Sequence, residues 1–139
     1  YKMKKLLPVF LIFTVIIISG AEWMLIHEAY SSLENENLTE VRFTEKIIHL
    51  GEVNIDSCRY AEFEVKNTGD VPLIIKAAEP SCGCTIVKWD RHPIAPEQTS
   101  KINIRFEPFS IGKFSKSVLI YCNTKQEVHT LKFDGYVKE

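Results

Sequence analysis

Cys82-Gly83-Cys84 is the group of residues in this chain with the clearest capacity for chemistry. A glycine between two cysteines takes positive φ at no steric cost and lets the thiols converge. Two thiolates so placed can chelate a soft ion such as Cu(I), which tolerates low coordination, or can cycle between dithiol and disulfide. The spacing is not that of a zinc site, and only two ligands are certain to be close. Cys82 and Cys84 are therefore the candidate metal ligands, with copper as the candidate ion and no other cofactor expected. Clustered cysteines outside a recognised motif are more often structural, as a staple or as small buried residues, and that reading leads.

What positions the pair is read from periodicity. Ala61, Phe63 and Val65 alternate with Tyr60, Glu62, Glu64 and Lys66, and Ile102, Ile104 and Phe106 alternate with Lys101, Asn103, Arg105 and Glu107. Alternation of this kind marks half-buried antiparallel strands. Further runs lie at 45–50, 71–77, 85–89, 114–122 and 128–137, separated by turn chemistry such as Asn67-Thr68-Gly69-Asp70 and the stretch from Pro108 to Gly112. Seven short strands and no helical period over residues 45–139 predict an all-β, two-sheet β-sandwich of immunoglobulin type.

Ahead of that domain, Met3-Lys4-Lys5 opens a basic region, and Leu6 to Ile18 follows without a charge. Ser19-Gly20-Ala21 then supplies small residues before Glu22. Residues 1–21 are expected to form a hydrophobic helix, either a signal peptide cleaved after Ala21 or a retained signal anchor reaching about Ile26. Both put the rest of the chain outside the cytoplasm, and the second attaches it to the membrane. Residues 22–44 are read as a polar spacer, with Trp23, Ile26, Tyr30 and Leu33 at helical spacing as the competing signal.

In a sandwich of alternating strands, the second strand begins at the end where the third finishes. Cys58 and the Cys82/Cys84 pair are thus expected at one pole, and Cys122 at the other. A disulfide from Cys58 to Cys82 or Cys84 is the candidate bridge, provided the Cα atoms approach within roughly 7 Å. His49 is placed near the pole of Cys58, His92 and His129 at the opposite pole, and His27 in the spacer, so no histidine cluster assembles. Asp56, Asp70, Asp90 and Asp134 are read as turn residues. Ser81 and Ser117 lack a base partner, and Trp89 is expected to cover the core. No catalytic residue is assigned, and the protein is not expected to be an enzyme.

Several segments carry a family resemblance. His49-Leu50-Gly51-Glu52-Val53, Phe63 through Asp70, Pro72-Leu73-Ile74-Ile75, Ser81-Cys82-Gly83-Cys84-Thr85, Pro93-Ile94-Ala95-Pro96 and Gly112 through Ser117 together resemble the bacterial family called domain of unknown function 1573. The resemblance covers roughly residues 45–138. It implies an immunoglobulin-like cell-envelope module of the kind common in Bacteroidota, secreted, periplasmic or anchored, and it names no activity. The chain departs from the family pattern in carrying Glu97 where glycine usually follows Ile-Ala-Pro, and in adding Cys58 and Cys122.

Composition excludes other classes. The 139 residues are 45% hydrophobic and 25% charged with a net charge of −1, which rules out a disordered tail or a basic nucleic-acid arm. From residue 45 onward, thirteen Lys or Arg balance thirteen Asp or Glu. Such a domain lacks the basic stripe of a nucleic-acid binder, and no glycine-rich phosphate loop is present. The expected function is a non-enzymatic binding or structural interaction module of the cell envelope, with an envelope protein or surface ligand as partner. The alternative is a periplasmic thiol protein that binds copper or acts in redox through Cys82 and Cys84.

Overall fold

The alternation of apolar and polar side chains resolves into eight strands in the computed structural model, which describes residue 24 and residues 37–139. The expected leader, and all of the spacer before residue 37 except Met24, lie outside the described residues. The strands are β1 Val41–Phe43, β2 Ile47–Asn54, β3 Arg59–Asn67, β4 Ile75–Pro80, β5 Thr85–Trp89, β6 Thr99–Phe106, β7 Gly112–Cys122 and β8 Val128–Lys138. They form two four-stranded sheets, β1-β3-β6-β5 and β2-β8-β7-β4. Every neighbouring pair is antiparallel except β2 with β8. The all-β, two-sheet expectation holds over residues 38–139.

One strand more is present than expected. β1 falls at residues assigned to the spacer, because three residues are too few to show a period. Its pairing with β3, Val41↔Asn67 through Phe43↔Val65, places it in the sheet. The chain then crosses from one sheet to the other between Phe43 and Ile47, so β1 and β2 are successive edge strands of opposite sheets.

The inward faces supply the core. Phe63, Ile102, Ile104, Ile120, Leu131 and Phe133 are all essentially without solvent exposure. Burial of each such side chain stabilises by roughly 1.5–3 kcal/mol before the entropy of ordering is set against it. At one end Phe106 stacks on Phe114 at 4.5 Å and meets Phe133 edge-on at 5.5 Å. Gly135 makes this possible: a Cβ there would lie 2.5 Å from the Gly51 carbonyl oxygen and 2.9 Å from the Phe114 ring. Gly51 itself, at φ 66°, forms the bulge that interrupts the β2 register between His49 and Glu52.

At the other end the core contains a fully buried asparagine. Asn67 Oδ1 accepts from the Thr39 hydroxyl at 2.8 Å and from the Gly69 amide at 3.1 Å. Its Nδ2 donates to the carbonyls of Val71 at 2.8 Å and Ile94 at 2.9 Å. The side chain therefore makes all four hydrogen bonds an amide can make. Its backbone amide donates to Gln98, and its carbonyl accepts from Glu97. Asn123 plays a related part in the second sheet, accepting from Ile74 N at 2.7 Å and donating to Pro72 O at 3.0 Å.

Ala95-Pro96-Glu97-Gln98 is a tight turn, closed by Gln98 N donating to Ala95 O at 3.0 Å. Proline at the second position and positive φ at the third are the type II pattern, and Glu97 occupies the third at φ 64°. A non-glycine residue there costs about 1–2 kcal/mol. The exposed Lys66–Glu97 ion pair returns little of this. Glu97→Gly is expected to stabilise the domain by about 1 kcal/mol, read as a rise of several degrees in the thermal midpoint; a lower midpoint would show that the ion pair outweighs the backbone term.

Candidate functional site

The Cys82-Gly83-Cys84 segment forms the connection from β4 to β5, which belong to different sheets. Its start is fixed to β7, with Ser81 N donating to Ser117 O at 2.8 Å and Ser117 N donating to Ser81 Oγ at 3.1 Å. Its end is fixed to β6, with Glu107 N donating to Cys84 O at 2.9 Å. Between these ties, Thr85 N donates to Cys82 O at 3.3 Å and closes a turn. Cys82 and Cys84 are joined by a disulfide, their Cα atoms 5.2 Å apart. Both are half-buried. The hydroxyl of buried Thr85 lies 3.4 Å from Cys82 Sγ and 3.8 Å from Cys84 Sγ.

The bridge from Cys58 to this pair is therefore corrected: Cys58 is a free thiol. The polar placement of the cysteines holds, but the lateral distance does not suit a bond. Arg59 and Thr85 both pair with Phe106 from opposite sides of β6. Two strand spacings, roughly 9.5 Å, thus separate the starts of β3 and β5, and a disulfide spans less than about 7 Å. Cys58 instead accepts from the Arg105 guanidinium at 3.4 Å, and Arg105 also pairs with Glu107 at 2.6 Å.

With each sulfur bonded to the other, Cys82 and Cys84 offer no thiolate to a soft cation. Among the described residues, no three His, Cys, Asp or Glu side chains gather in a metal-binding group. Cys122 is fully buried at the far end of β7, opposite Ile75, and burial pushes its thiol up to about 11. As a staple the Cys82–Cys84 bond is weak. Loop closure of three residues stabilises by roughly 1.6 kcal/mol, against about 3 kcal/mol for a 15-residue loop.

The remaining candidates disperse. His49 engages Asp134 at 2.7 Å on the outer face of the β2–β8 pair and, among the described residues, makes no contact with a cysteine. Asp134 is thus a strand residue and not the turn residue expected. Asp90 does behave as a turn residue, accepting from His92 N at 2.9 Å and His92 Nδ1 at 2.6 Å, and these bonds hold its carboxyl below the usual range. His129 is buried at the seam between sheets, 2.8 Å from the Thr124 hydroxyl and 5.4 Å from the Phe43 ring. Burial first, and Lys46 second, lower its pKa. Trp89 packs against the core and donates to Ile75 O at 3.3 Å.

Two of the surface depressions bear on a binding role. A shallow groove of about 670 Å³ runs along Gly51, Phe114, Gly135 and Tyr136. A smaller one of about 230 Å³ lies on the outer face of the other sheet between Tyr60, Ile86, Lys88 and Arg105. There Tyr60, Arg105 and Ile86 stand in one row across β3, β6 and β5, and Tyr60 is 70% and Ile86 41% exposed. Beside them runs the outer edge of β5. Because Cys84 O faces β6, alternation directs the backbone groups of Val87 and Trp89 away from the sheet. The other three edges are blunted: β1 has three residues, β2 is bulged, and β4 ends in Pro80 with Trp89 bonded to its Ile75 carbonyl.

The family profile described as protein of unknown function (DUF1573) matches residues 41–137. The chain belongs to this family. Among solved structures, the DUF1573 chain is similar to a protein of unknown function from Porphyromonas gingivalis W83, at 16% identity and a TM-score of 0.64, over 72% of this chain and 47% of that one. It is similar to the ASH/PapD-like domain 7 of human CEP192, at 14% identity and a TM-score of 0.60, over 74% and 88% of the two chains. It also resembles part of the VesB protease of Vibrio cholerae, at 8% identity and a TM-score of 0.55, over 80% and 35%. At these identities the likeness is one of fold. The chain spans about half the length of the Porphyromonas protein. No curated protein matches the sequence.

Sequence reasoning passed over Thr85 and Arg105 as ordinary strand residues; nothing in their spacing marks them as partners of sulfur. The arrangement of the DUF1573 domain predicts a simple labelling pattern. Iodoacetamide on the native, non-reduced protein is expected to modify Cys58 alone, with Cys122 reacting only after denaturation and Cys82 and Cys84 only after reduction. Recovery of label on Cys82 or Cys84 without reductant would contradict the assigned bond.

Proposed function

We propose that this DUF1573 domain is an exported interaction module: an immunoglobulin-like sandwich of the cell envelope that presents one sheet face and edge to a protein partner. Export rests on the character of residues 1–21, basic and then uncharged over Leu6 to Ile18. The PapD-like likeness supports the immunoglobulin-type reading of the topology, in which an N-terminal strand is divided between the two sheets. On this reading the protein performs no catalysis.

The observation that carries the proposal is the open edge of β5 beside an exposed apolar row. Three edges are blunted, by shortness, a bulge, or a terminal proline and the Trp89 bond, while β5 keeps outward backbone groups at Val87 and Trp89. Ile86 borders that edge, and Tyr60 extends the exposed row two strands further across the sheet, with Lys88 and Arg105 between and beside them. Aromatic and arginine side chains are the types that anchor protein interfaces. An extended segment laid along β5 gains main-chain hydrogen bonds from the edge and apolar contact from the row.

The competing reading, copper binding through Cys82 and Cys84, requires the disulfide to be reduced first, since a metal ligand must be a thiolate. The edge requires no such change.

The test uses full-length protein affinity-purified from its native bacterium, with wild type beside Ile86→Glu/Tyr60→Glu and, as a control at another exposed apolar site, Ile74→Glu. The double variant is expected to fold, to fractionate with the envelope and to lose at least tenfold of a specific co-purifying protein that the control retains. Equal recovery in all three would refute the β5 face as the contact, and cytoplasmic fractionation of the wild type would refute export.

A further inference from the structure

We propose that the Cys82–Cys84 disulfide is an exchange site for a dithiol partner, in which an incoming thiolate attacks Cys84 Sγ and Cys82 leaves as a thiolate held by the Thr85 hydroxyl. Thr85 is only 5% exposed, and the two sulfurs are the sole partners of its hydroxyl among the described residues. A disulfide sulfur carries no proton, so the hydroxyl is the donor and its single proton is shared between the two contacts. Sulfur in a disulfide is a weak acceptor, whereas a hydrogen bond to an ionised acceptor is roughly twice as strong as a neutral one. The Thr85 contact therefore strengthens as charge develops on sulfur, which is the condition for an interaction to speed a step.

The geometry also orders the two sulfurs. Thr85 Oγ1 is nearer to Cys82 Sγ, at 3.4 Å, than to Cys84 Sγ, at 3.8 Å, so Cys82 is the better stabilised leaving group and Cys84 the sulfur attacked. The tip of the loop is exposed at Gly83, where an added Cβ would meet no heavy atom within 4 Å, while both cysteines are half-buried and Cys84 also packs against the core. The fold does not depend on this bond, because the loop is held at both ends by backbone ties to β7 and β6. Cys58 lies two strands away and Cys122 is at the other pole, which confines the exchange to this pair.

The chemistry balances with a dithiol as the co-reactant. In the first step the Cys82–Cys84 bond breaks, a bond forms between the partner sulfur and Cys84 Sγ, and the electron pair of the broken bond goes to Cys82 Sγ. The partner's second thiolate then attacks its own sulfur in the mixed disulfide and expels Cys84 as a thiolate. The partner is oxidised to a disulfide, two electrons pass to this protein, and the two thiol protons of the partner end on Cys82 and Cys84. With a disulfide partner the same steps run in reverse. This proposal stands apart from the β5 interface, so neither fails with the other.

Glutathione serves as the probe, two molecules replacing the dithiol, on full-length protein carrying Cys58→Ser. After rapid acid quench, peptide mass spectrometry is expected to find the glutathione adduct on Cys84. Thr85→Val is expected to slow the first attack about tenfold, and Thr85→Ser to restore it, with the far-ultraviolet circular dichroism unchanged on reduction. An adduct on Cys82, or a Thr85→Val rate within twofold of the parent, overturns the proposal. The adduct position is read in protein with Thr85 intact, so that arm decides even if Thr85→Val fails to fold.

Discussion

The hydrogen bonds of one buried asparagine hold together the segments on which the rest of this domain depends. Asn67 ends β3, yet its side chain reaches Thr39 ahead of β1, Val71 ahead of β4 and Ile94 between β5 and β6. These segments lie outside the eight strands, ahead of β1, in the β3–β4 crossing between sheets and in the β5–β6 connection within one sheet, where isolated bridges take the place of a continuous ladder. A carbonyl left unpaired in such a place costs about 1–3 kcal/mol. One amide that bonds two carbonyls, a hydroxyl and an N–H ties three connections together, with the Ile94 carbonyl accepting from Leu73 N as well, and apolar burial elsewhere adds mass to a frame already registered.

From that frame follows the position of everything with functional potential. Registering β3 beside β6 brings Tyr60 and Arg105 into one row, and β5 on the far side of β6 extends it to Ile86. The same arrangement keeps Cys58 two strands from Cys84 and leaves the Cys82/Cys84 pair to bond with each other. Thr85, the first residue of β5, then points its hydroxyl at both sulfurs because strand alternation turns its side chain inward. The cysteine loop and the β5 edge are thus neighbours by topology, although their proposed roles do not depend on one another.

Much of this was legible in the residues themselves. Alternation located β3 and β6, and successive strand directions placed Cys58 with Cys82 and Cys84, and Cys122 apart. Chain order gives no lateral distance across a sheet, however, so the expected bridge from Cys58 was wrong although its pole was right. β1 was too short for a period, and Asn67 read as a turn residue because Asn-Thr-Gly-Asp is turn chemistry whether or not the side chain is buried. Thr85 stood in the Ser81-Cys82-Gly83-Cys84-Thr85 segment of the family resemblance, but its role there is a distance to sulfur that the sequence does not encode.

Because Asn67→Asp preserves shape and volume, it isolates the hydrogen bonds. The variant replaces the two donors to Val71 and Ile94 by an acceptor, setting oxygen against oxygen in the dry interior. Urea unfolding at pH 7 is expected to show a loss of at least about 3 kcal/mol relative to wild type, a large share of a stability of roughly 5–15 kcal/mol for a domain of this kind. A loss below about 0.5 kcal/mol would contradict the dependence of the fold on this residue.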